Sequence, residues 1–283
     1  MTRAELTAWA EESLSQAGVE ETRAKAELLL ISAEGVTSRV LYMHPDADVS
    51  AEVERTFRQW VERAVRHEPV RYITGRAEFF GLEFAVDRRV LIPRPETELL
   101  VDEALGFGLD AQQAVIADIG TGSGCIAVTL ARQLPGARVY ACDASAGALQ
   151  VARANAERHG VESRITFLQG HLLEPLPEPM DLLVSNPPYV STAELAALPR
   201  EIREYEPTQA LHGGEDGLDV VREILAEAPR RLRPGGGAIL EIGAAQGPAA
   251  LEIARGHFPG GSTELRQDYA GLDRIVIARP ARG

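Results

Sequence analysis

Apolar positions follow two different periods along the chain, and the change between them divides it. In the first 70 or so residues, apolar side chains recur every three or four positions, as in LTAWAEESLSQAG and VEETRAKAELLLISAEG, and each stretch ends at a glycine. A third stretch, from Ser50 to Arg66, begins with a residue typical of a helix N-cap. The pattern predicts a small N-terminal helical bundle over residues 1–72.

From residue 73 the apolar period shortens to two. The segment RAEFFGLEFAVDRRVLIPRP alternates apolar and polar residues around Gly81, and its prolines end it in an extended conformation. This pattern predicts a β-hairpin that joins two domains over residues 73–94. Pro95 and the acids after it then begin a helix, because proline fits the first helical turn and carboxylates there are stabilised by the helix dipole.

Strands and helices alternate over residues 95–283. Apolar runs predict seven strands: VIADIG, ARVYACD, ITFLQ, DLLVSN, GGAILEIG, STELRQ and DRIVIARP. Helices are predicted to begin near Gly124, Ser145, Leu218 and Pro248. This order is typical of a doubly wound α/β fold with a mostly parallel sheet, whose strands are buried on both faces and therefore read as continuous apolar runs.

The composition is that of a globular protein. Of 283 residues, 45% are apolar and 25% are charged. No apolar run approaches the roughly 18 to 20 residues of a transmembrane helix, and the N-terminus carries acids where a signal peptide has its apolar segment. We therefore expect a cytoplasmic protein without a membrane segment. The two cysteines and six histidines lack the spacing of metal ligands, so we expect no metal site.

The net charge restricts the choice of partner. The 42 acidic and 29 basic residues give a charge of −13 at pH 7. Proteins that grip a phosphate backbone usually have a basic excess or stripe, because the release of counterions supplies much of the affinity. The charge therefore argues against nucleic acid as the main partner.

A glycine-rich loop follows the first predicted strand of the sheet and leads into a helix, whose free N–H groups can face a ligand. We call this the glycine loop; its candidate binding residues are Asp118, Gly120, Thr121, Gly122, Ser123 and Gly124. The pattern is G-x-G-x-G and not the G-x-G-x-x-G of dinucleotide sites, so the loop need not hold a pyrophosphate. Asp143 ends the next strand, where a carboxylate can accept hydrogen bonds from both hydroxyls of a ribose. The combination predicts a nucleoside site; the alternative is an ordinary strand-to-helix turn.

The motif Asn186-Pro187-Pro188-Tyr189 follows the fourth predicted strand at the same edge of the sheet. Prolines lack backbone donors and stiffen the turn, so the Asn186 side chain and the Pro187 carbonyl are left as fixed acceptors. Two acceptors can hold a planar NH2 group with its nitrogen facing an electrophile, and Tyr189 can pack its ring against that group. The alternative is a proline-rich turn that only caps the strand.

Together these motifs resemble class I methyltransferases that use S-adenosylmethionine to methylate amino or amide nitrogen. The segments PVRYITGRAEFFGLEFAVDRRVLIPRPETELLVDEAL, LHGGEDGLDVVREIL, LEIGAAQGPAALEI and DYAGLDRIVIARP extend the resemblance to the HemK/PrmC family from end to end. Members of that family methylate the glutamine of the Gly-Gly-Gln motif in bacterial peptide chain release factors. The hairpin and the IPRPET segment make the match specific, since Asn-Pro-Pro-Tyr also occurs in DNA adenine and ribosomal RNA methyltransferases.

The resemblance implies a fold, a cofactor and a partner. The fold is the Rossmann-like class I methyltransferase fold, with a seven-stranded, mostly parallel sheet, and a helical N-terminal domain that recognises the substrate protein. The cofactor is S-adenosylmethionine. The partner is the Gly-Gly-Gln loop of a release factor, a protein of translation termination. The enzyme is expected to act as a monomer and to make no direct contact with nucleic acid.

The resemblance also implies roles for individual residues. All four residues of the Asn-Pro-Pro-Tyr motif bind the glutamine, and Asn186, Pro187 and Tyr189 are the catalytic residues. The glycine loop wraps the methionine part of the cofactor, and Asp143 holds the ribose. Leu172 lies beside the adenine, and Asn186 also contacts the cofactor.

Other interpretations stay open at this point. A DNA or ribosomal RNA amino-methyltransferase would share the catalytic motif, but the acidic charge disfavours it. A non-catalytic binding module would keep only the nucleoside pocket, and the intact Asn-Pro-Pro-Tyr motif disfavours that. In the IPRPET segment, helix capping and domain docking explain Arg94, Glu96 and Thr97 as well as a part in the chemistry does.

Overall fold

The computed structural model describes residues 1–110 and 112–281 of the chain. It divides into two compact units, which we call the helical unit and the α/β unit. The helical unit consists of Met1–Arg76 and Pro199–Tyr205, and the α/β unit consists of Ala77–Leu198 and the chain from Glu206 onward.

The sequence analysis also made predictions about domain boundaries, membrane helices and metal sites. The domain boundaries at residues 1–72, 73–94 and 95–283 stay a prediction. In the described ranges, no helix has both the length and the apolar character needed to cross a membrane. Among the same residues, no group of three or more His, Cys, Asp or Glu side chains is placed to hold a metal ion.

Twelve α-helices lie in the described part of the chain. In chain order they are α1 (Arg3–Gln16), α2 (Thr22–Glu34), α3 (Ser38–Met43), α4 (Ala51–Val65), α5 (Val70–Thr74), α6 (Glu98–Leu105), α7 (Cys125–Gln133), α8 (Ala146–Arg158), α9 (Thr192–Leu195), α10 (Arg200–Tyr205), α11 (Asp219–Arg231) and α12 (Gly247–His257). Short 3-10 turns cover Pro95–Thr97, Glu162–Arg164 and Thr208–Ala210. The short helices α3, α5, α9 and α10 were not predicted from the sequence.

The helical unit is built from α1 to α5 around an apolar core that includes Leu6, Leu29 and Phe57. The helix α10 belongs to this unit although it comes from a distant part of the sequence. Two contacts attach it: Lys25 Nζ lies 2.8 Å from Glu201 Oε2, and the Tyr205 hydroxyl donates to the Arg66 carbonyl at 2.8 Å. The predicted N-terminal bundle is thus present, with three additional short helices, α3, α5 and α10.

Nine strands form two sheets in the described residues. In chain order they are β1 (Arg76–Phe79), β2 (Leu82–Ala85), β3 (Val115–Ile119), β4 (Arg138–Asp143), β5 (Ile165–Gln169), β6 (Met180–Ser185), β7 (Leu232–Glu241), β8 (Ser262–Gln267) and β9 (Asp273–Arg279). Strands β1 and β2 form the hairpin, and the other seven form one sheet in the order β5-β4-β3-β6-β7-β9-β8.

The large sheet is parallel except at β9, which runs antiparallel to both of its neighbours. One face is covered by α6, α7 and α8, and the other by α11 and α12. The central strand β3 is buried at every position, which is the physical reason for its uninterrupted apolar run. The predicted seven-stranded, mostly parallel α/β fold is therefore confirmed.

Strand register brings the candidate motifs to one edge of the sheet. Ile119 is level with Cys142 on β4 and with Ser185 on β6. The residues that follow these three positions are the start of the glycine loop, Asp143 and Asn186. Because parallel strands end at the same edge, residues far apart in the sequence meet there.

The hairpin packs within the α/β unit. Its turn is formed by Phe80 and Gly81, both with positive φ, as two-residue hairpin turns require. Phe79 and Phe84 project from the two strands into the core with an edge-to-face contact, their ring centres 6.2 Å apart. The backbone N–H of Phe80 donates to Glu98 at 2.7 Å and so ties the turn to the start of α6.

Candidate active site

A cavity of about 240 Å³ lies at the edge of the sheet where β3, β4 and β6 end. Its lining includes most of the residues predicted to bind cofactor or substrate: Gly120, Thr121, Gly122, Ser123, Asp143, Leu172, Asn186 and Pro188. Four other predicted residues lie outside the lining that the described residues form: Asp118, Gly124, Pro187 and Tyr189. The tertiary structure thus joins the glycine loop, the strand-end carboxylate and the Asn-Pro-Pro-Tyr motif at one cavity.

The glycine loop presents bare backbone to the cavity. Gly120 and Gly124 have φ values of 73° and 79°, in the left-handed region that favours glycine. A Cβ placed on Gly120 would meet no atom within 4 Å, so the space in front of the loop is open to a ligand. A Cβ on Gly124 would lie 3.0 Å from the Ala152 Cβ on α8. The first glycine therefore allows close approach of a ligand, and the last allows close packing of two helices.

Asp118 supports the loop from behind. The side chain is fully buried, and its Oδ2 accepts hydrogen bonds from the Thr121 hydroxyl at 2.6 Å and the Ala127 backbone N–H at 3.1 Å. Among the described residues, its Oδ1 has no hydrogen-bond partner. Burial raises the pKa of Asp118 to about 7. Since Asp118 does not reach the cavity, we propose that it shapes the loop and does not touch the cofactor.

Asp143 stands at the cavity with its carboxylate fixed by the backbone. Oδ2 accepts from the Gly122 N–H at 2.9 Å, and Oδ1 accepts from the Ser145 N–H at 2.8 Å. Burial raises the pKa of this carboxyl above its ordinary value. A carboxylate oxygen can accept more than one hydrogen bond, so Asp143 keeps acceptor capacity toward the cavity, as a ribose site needs.

Leu172 contributes an apolar side to the cavity. Its φ of 44° is in the left-handed region, which is costly for a residue with a side chain and is often found at ligand sites. The neighbouring His171 also lines the cavity, but its Nε2 lies 2.9 Å from Glu223 Oε2 in an exposed contact. The contact of Leu172 with an adenine stays a prediction.

The Asn186 side chain has a defined orientation. Its Nδ2 donates to Thr97 Oγ1 at 3.0 Å, and Thr97 is buried at the start of α6. None of the described residues donates to Asn186 Oδ1, which stays available at the cavity. Just before the motif, the Ser185 hydroxyl donates to the Ile119 carbonyl at 2.7 Å and so ties the end of β6 to the end of β3.

Tyr189 is anchored away from the cavity lining. Its hydroxyl donates to Glu241 Oε1 at 3.3 Å, and burial, together with the charge of Glu241, raises the pKa of the phenol. Glu241 is itself fully buried at the end of β7. The packing of the Tyr189 ring against a substrate amide, and the substrate contact of the Pro187 carbonyl, stay predictions.

The segment LHGGEDG forms a close-fitting support for the catalytic motif. A Cβ on Gly213 would lie 2.4 Å from the Pro188 carbonyl oxygen, and one on Gly217 would lie 2.2 Å from the Tyr189 carbonyl oxygen. Gln246 Nε2 donates to that same Tyr189 carbonyl at 2.9 Å. The glycines are needed here because the two backbone segments lie in direct contact.

Two residues at the site were not assigned a role from the sequence. From the sequence, Thr97 could serve either as a helix cap or in the chemistry. Its hydrogen bond to Asn186 and its position in the cavity lining place it in the site. Glu241 was not considered; the available signal was an acid at the end of the apolar run GGAIL, in a strand parallel to the one that carries the motif. Its contacts could not be deduced without the register between β6 and β7.

Comparison with protein families agrees with this arrangement. Residues 5–75 match the PrmC N-terminal domain, and residues 97–202 match the methyltransferase small domain. The two matches cover the helical N-terminus and the segment from Thr97 through the Asn-Pro-Pro-Tyr motif.

Solved structures support the fold. A methyltransferase from Pyrococcus furiosus has a TM-score of 0.53 at 19% identity, over 79% of this chain and 96% of that chain. The catalytic domain of hMettl16, in complex with an RNA hairpin, has a TM-score of 0.54 at 18% identity, over 79% and 81% of the two chains. A 16S rRNA methyltransferase of T. thermophilus, in complex with AdoMet and guanosine, has a TM-score of 0.51 at 21% identity, over 72% and 49%.

Sequence relatives are much closer. The release factor glutamine methyltransferase of Geobacter sulfurreducens is 46% identical over 273 residues, which is 96% of this chain and 94% of that protein. The protein of the same name from Gloeobacter violaceus is 43% identical over 272 residues, 95% of each chain. At this identity and coverage, the chain belongs to the family of release factor glutamine methyltransferases.

Proposed function

We propose that this protein transfers a methyl group from S-adenosylmethionine to the side-chain amide nitrogen of the glutamine in the Gly-Gly-Gln motif of a bacterial peptide chain release factor. The observation that carries the proposal is the orientation of Asn186, whose Nδ2 is held by Thr97. That orientation leaves Oδ1 as an acceptor on a residue that lines the cavity. A substrate NH2 group is a donor, and this is the acceptor it requires.

The donor and acceptor groups of the cavity fit S-adenosylmethionine. The open space in front of Gly120 suits a ligand that lies against the backbone, where the methionine part would bind. Asp143 offers acceptors for the two ribose hydroxyls, and Leu172 offers an apolar surface for the adenine. When bound, the cofactor supplies a methyl group made electrophilic by the adjacent sulfonium.

The task of the chain's own residues is to position the amide. An amide nitrogen is a poor nucleophile because its lone pair is delocalised into the carbonyl. Asn186 Oδ1 and the Pro187 carbonyl each accept one N–H of the substrate and so hold its nitrogen toward the methyl group. The new N–C bond forms as the S–CH3 bond breaks, which leaves S-adenosylhomocysteine. The proton lost from nitrogen passes to these acceptors and on to water, so no strong general base is required.

Methylation of nucleic acid is the less favoured alternative. The catalytic motif alone is compatible with an exocyclic amine of a base, but a charge of −13 opposes binding to a phosphate backbone. The N-terminal region that matches the PrmC N-terminal domain also favours a protein substrate. We propose that the helical unit recognises the release factor, and that the enzyme works as a monomer in the cytoplasm, where translation ends.

The proposal is tested by supplying the full-length protein with methyl-labelled S-adenosylmethionine and one of four acceptors: an intact release factor, the same factor with its motif glutamine changed to alanine, plasmid DNA, or ribosomal RNA. We expect label only on the intact factor, at the glutamine. Label on either nucleic acid would overturn the proposal in favour of the alternative. Absence of label on all four would point to a binding protein without catalytic activity.

A further inference from the structure

A buried carboxylate lies behind the catalytic motif. Glu241 is fully buried, and its Oε1 accepts from the Tyr189 hydroxyl at 3.3 Å. Hydrogen bonding by the Thr97 hydroxyl lowers the pKa of this same carboxyl. Among the described residues, Oε2 has no hydrogen-bond partner. A buried carboxylate with one unpaired oxygen lowers the stability of the fold, so its presence at the active site calls for a function.

The directions of the hydrogen bonds suggest that function. An ionised carboxylate can only accept, so the Thr97 hydroxyl must point its single proton at Glu241. The lone pairs of Thr97 Oγ1 are then the groups left for Asn186, and Nδ2 of Asn186 donates to them at 3.0 Å. An amide has its donor and acceptor on opposite branches. With Nδ2 turned to Thr97, Oδ1 is turned to the other side.

The chain of contacts is short and buried. Thr97 is 2% exposed and Glu241 is 0% exposed, so water does not compete for these bonds. Each member comes from a different element: Thr97 from the turn that leads into α6, Asn186 from the end of β6, and Glu241 from the end of β7. These three segments position the Glu241 carboxylate, the Thr97 hydroxyl and the Asn186 amide.

We propose that Glu241 and Thr97 are positioning residues, which set the direction of a hydrogen-bond relay and thereby keep Asn186 Oδ1, and not Nδ2, facing the substrate nitrogen. This inference rests on the proposed function, because it concerns the same acceptor. If the amide were flipped, Nδ2 would meet the NH2 group of the glutamine, donor would face donor, and the substrate nitrogen would not be held.

The relay also depends on the protonation state of Glu241. A protonated carboxyl can donate to Thr97, whose own proton could then point at Asn186 and reverse the relay. Arg274 and Glu96 are the charged groups that act on Glu241, and Thr97 and Tyr189 are its hydroxyl neighbours. Burial outweighs Arg274 and raises the pKa of Glu241 to about 7. Methyl transfer should therefore fall as the pH is lowered through 7.

The test compares three variants in the full-length protein. Thr97→Val keeps the shape but removes the hydroxyl, Thr97→Ser restores the hydroxyl, and Thr7→Val makes the same change at a buried threonine of the helical unit. We expect Thr97→Val to lower kcat for the release factor by about 10- to 100-fold. KM and affinity for S-adenosylhomocysteine should change less than about twofold. Thr97→Ser should recover most of the rate, and Thr7→Val should leave kcat unchanged.

Glu241→Gln examines the direction of the relay. A glutamine side chain can donate as well as accept, so either relay direction becomes possible and the fall of kcat below pH 7 should disappear. Equal losses of rate in Thr97→Val and Thr97→Ser, or a Thr97→Val rate within twofold of wild type, would overturn the proposal. So would a Glu241→Gln variant that keeps the wild-type pH profile.

A readout without catalysis separates this inference from the proposed function. In wild-type protein, one Nδ2 proton of Asn186 should exchange slowly with solvent in side-chain amide NMR spectra, and in Thr97→Val it should exchange fast. If wild-type protein methylates no release factor but the protection is present, the proposed function fails and the relay stands. If methylation is normal and the amide is unprotected, the relay is wrong.

Discussion

Asn155 and Ala85 are joined by a pair of hydrogen bonds. The Ala85 N–H donates to Asn155 Oδ1 at 2.7 Å, and Asn155 Nδ2 donates back to the Ala85 carbonyl at 3.0 Å. The same Nδ2 donates to the Ser123 carbonyl at 2.8 Å. One fully buried side chain on α8 therefore connects the end of the hairpin to the glycine loop.

Asn155→Leu should destabilise the protein and weaken cofactor binding. The change removes the partner of the N–H and carbonyl of the half-buried Ala85 and of the buried Ser123 carbonyl. A buried group left unpaired costs about 1 to 3 kcal/mol. We expect the melting temperature to fall and the Kd for S-adenosylhomocysteine to rise about tenfold, because the loop loses its support. Thermal unfolding and calorimetric titration measure the two effects. Unchanged affinity would mean that the glycine loop holds its shape without Asn155.

Gly213→Ala should strongly reduce methyl transfer. The new Cβ would lie 2.4 Å from the Pro188 carbonyl oxygen and 2.9 Å from the Tyr189 Cα, so the catalytic motif or its support must shift. A displacement of this kind can cost about 100-fold in rate. Gly256→Ala is the matched control, since a Cβ there meets no atom within 4 Å and alanine suits the helix α12. Similar rates in both variants would contradict the steric argument.

Asn186→Ala should separate catalysis from cofactor binding. The substitution removes the acceptor for the substrate amide, and we expect kcat to fall by at least about 100-fold. Asp143 and the glycine loop are left intact, so the Kd for S-adenosylhomocysteine should stay within about twofold of wild type. Label transfer and calorimetry give the two numbers. A variant with nearly normal turnover would remove Asn186 from the mechanism.

The contribution of Asp118 to stability should decrease as the pH rises from about 4 to 7. Burial raises the pKa of Asp118 from 3.8 to about 7, so between these values the folded state holds a proton that the unfolded chain has released. The folded state is therefore favoured at low pH by this group, and the advantage is lost as the pH rises through 7. Asp118→Asn should flatten this part of the profile, measured by denaturant unfolding at a series of pH values. An unchanged slope would mean that Asp118 makes no such contribution.

Removal of residues 1–72 should affect the protein substrate more than a peptide. If the helical unit recognises the release factor, KM for the intact factor should rise at least about tenfold, whereas KM for a short glutamine peptide should change little. Circular dichroism is the control for folding, since α10 would lose its partners Lys25 and Arg66. Equal increases for both substrates would contradict recognition by this unit.

The sequence by itself determined the elements of the fold and the places where chemistry is found. Central strands of the large sheet are continuous apolar runs. A strand that is buried on both faces can be predicted from such a run without knowing which strands it pairs with. The glycine loop, Asp143 and the Asn-Pro-Pro-Tyr motif were found because each follows such a strand. Their meeting at one edge follows from the parallel order of the sheet.

Only the tertiary structure decided which side chains act on one another. Thr97 and Asn186 are 89 residues apart, and their hydrogen bond depends on where the start of α6 meets the end of β6. Glu241 reaches the motif through the register of β6 with β7, in which Ser185 is level with Leu240. The carboxylate of Asp118, a predicted cofactor-binding residue, accepts from Thr121 and lies outside the cavity lining that the described residues form. Hydrogen bonds act over about 3 Å, so a local pattern can place a residue at the site but cannot choose its partner.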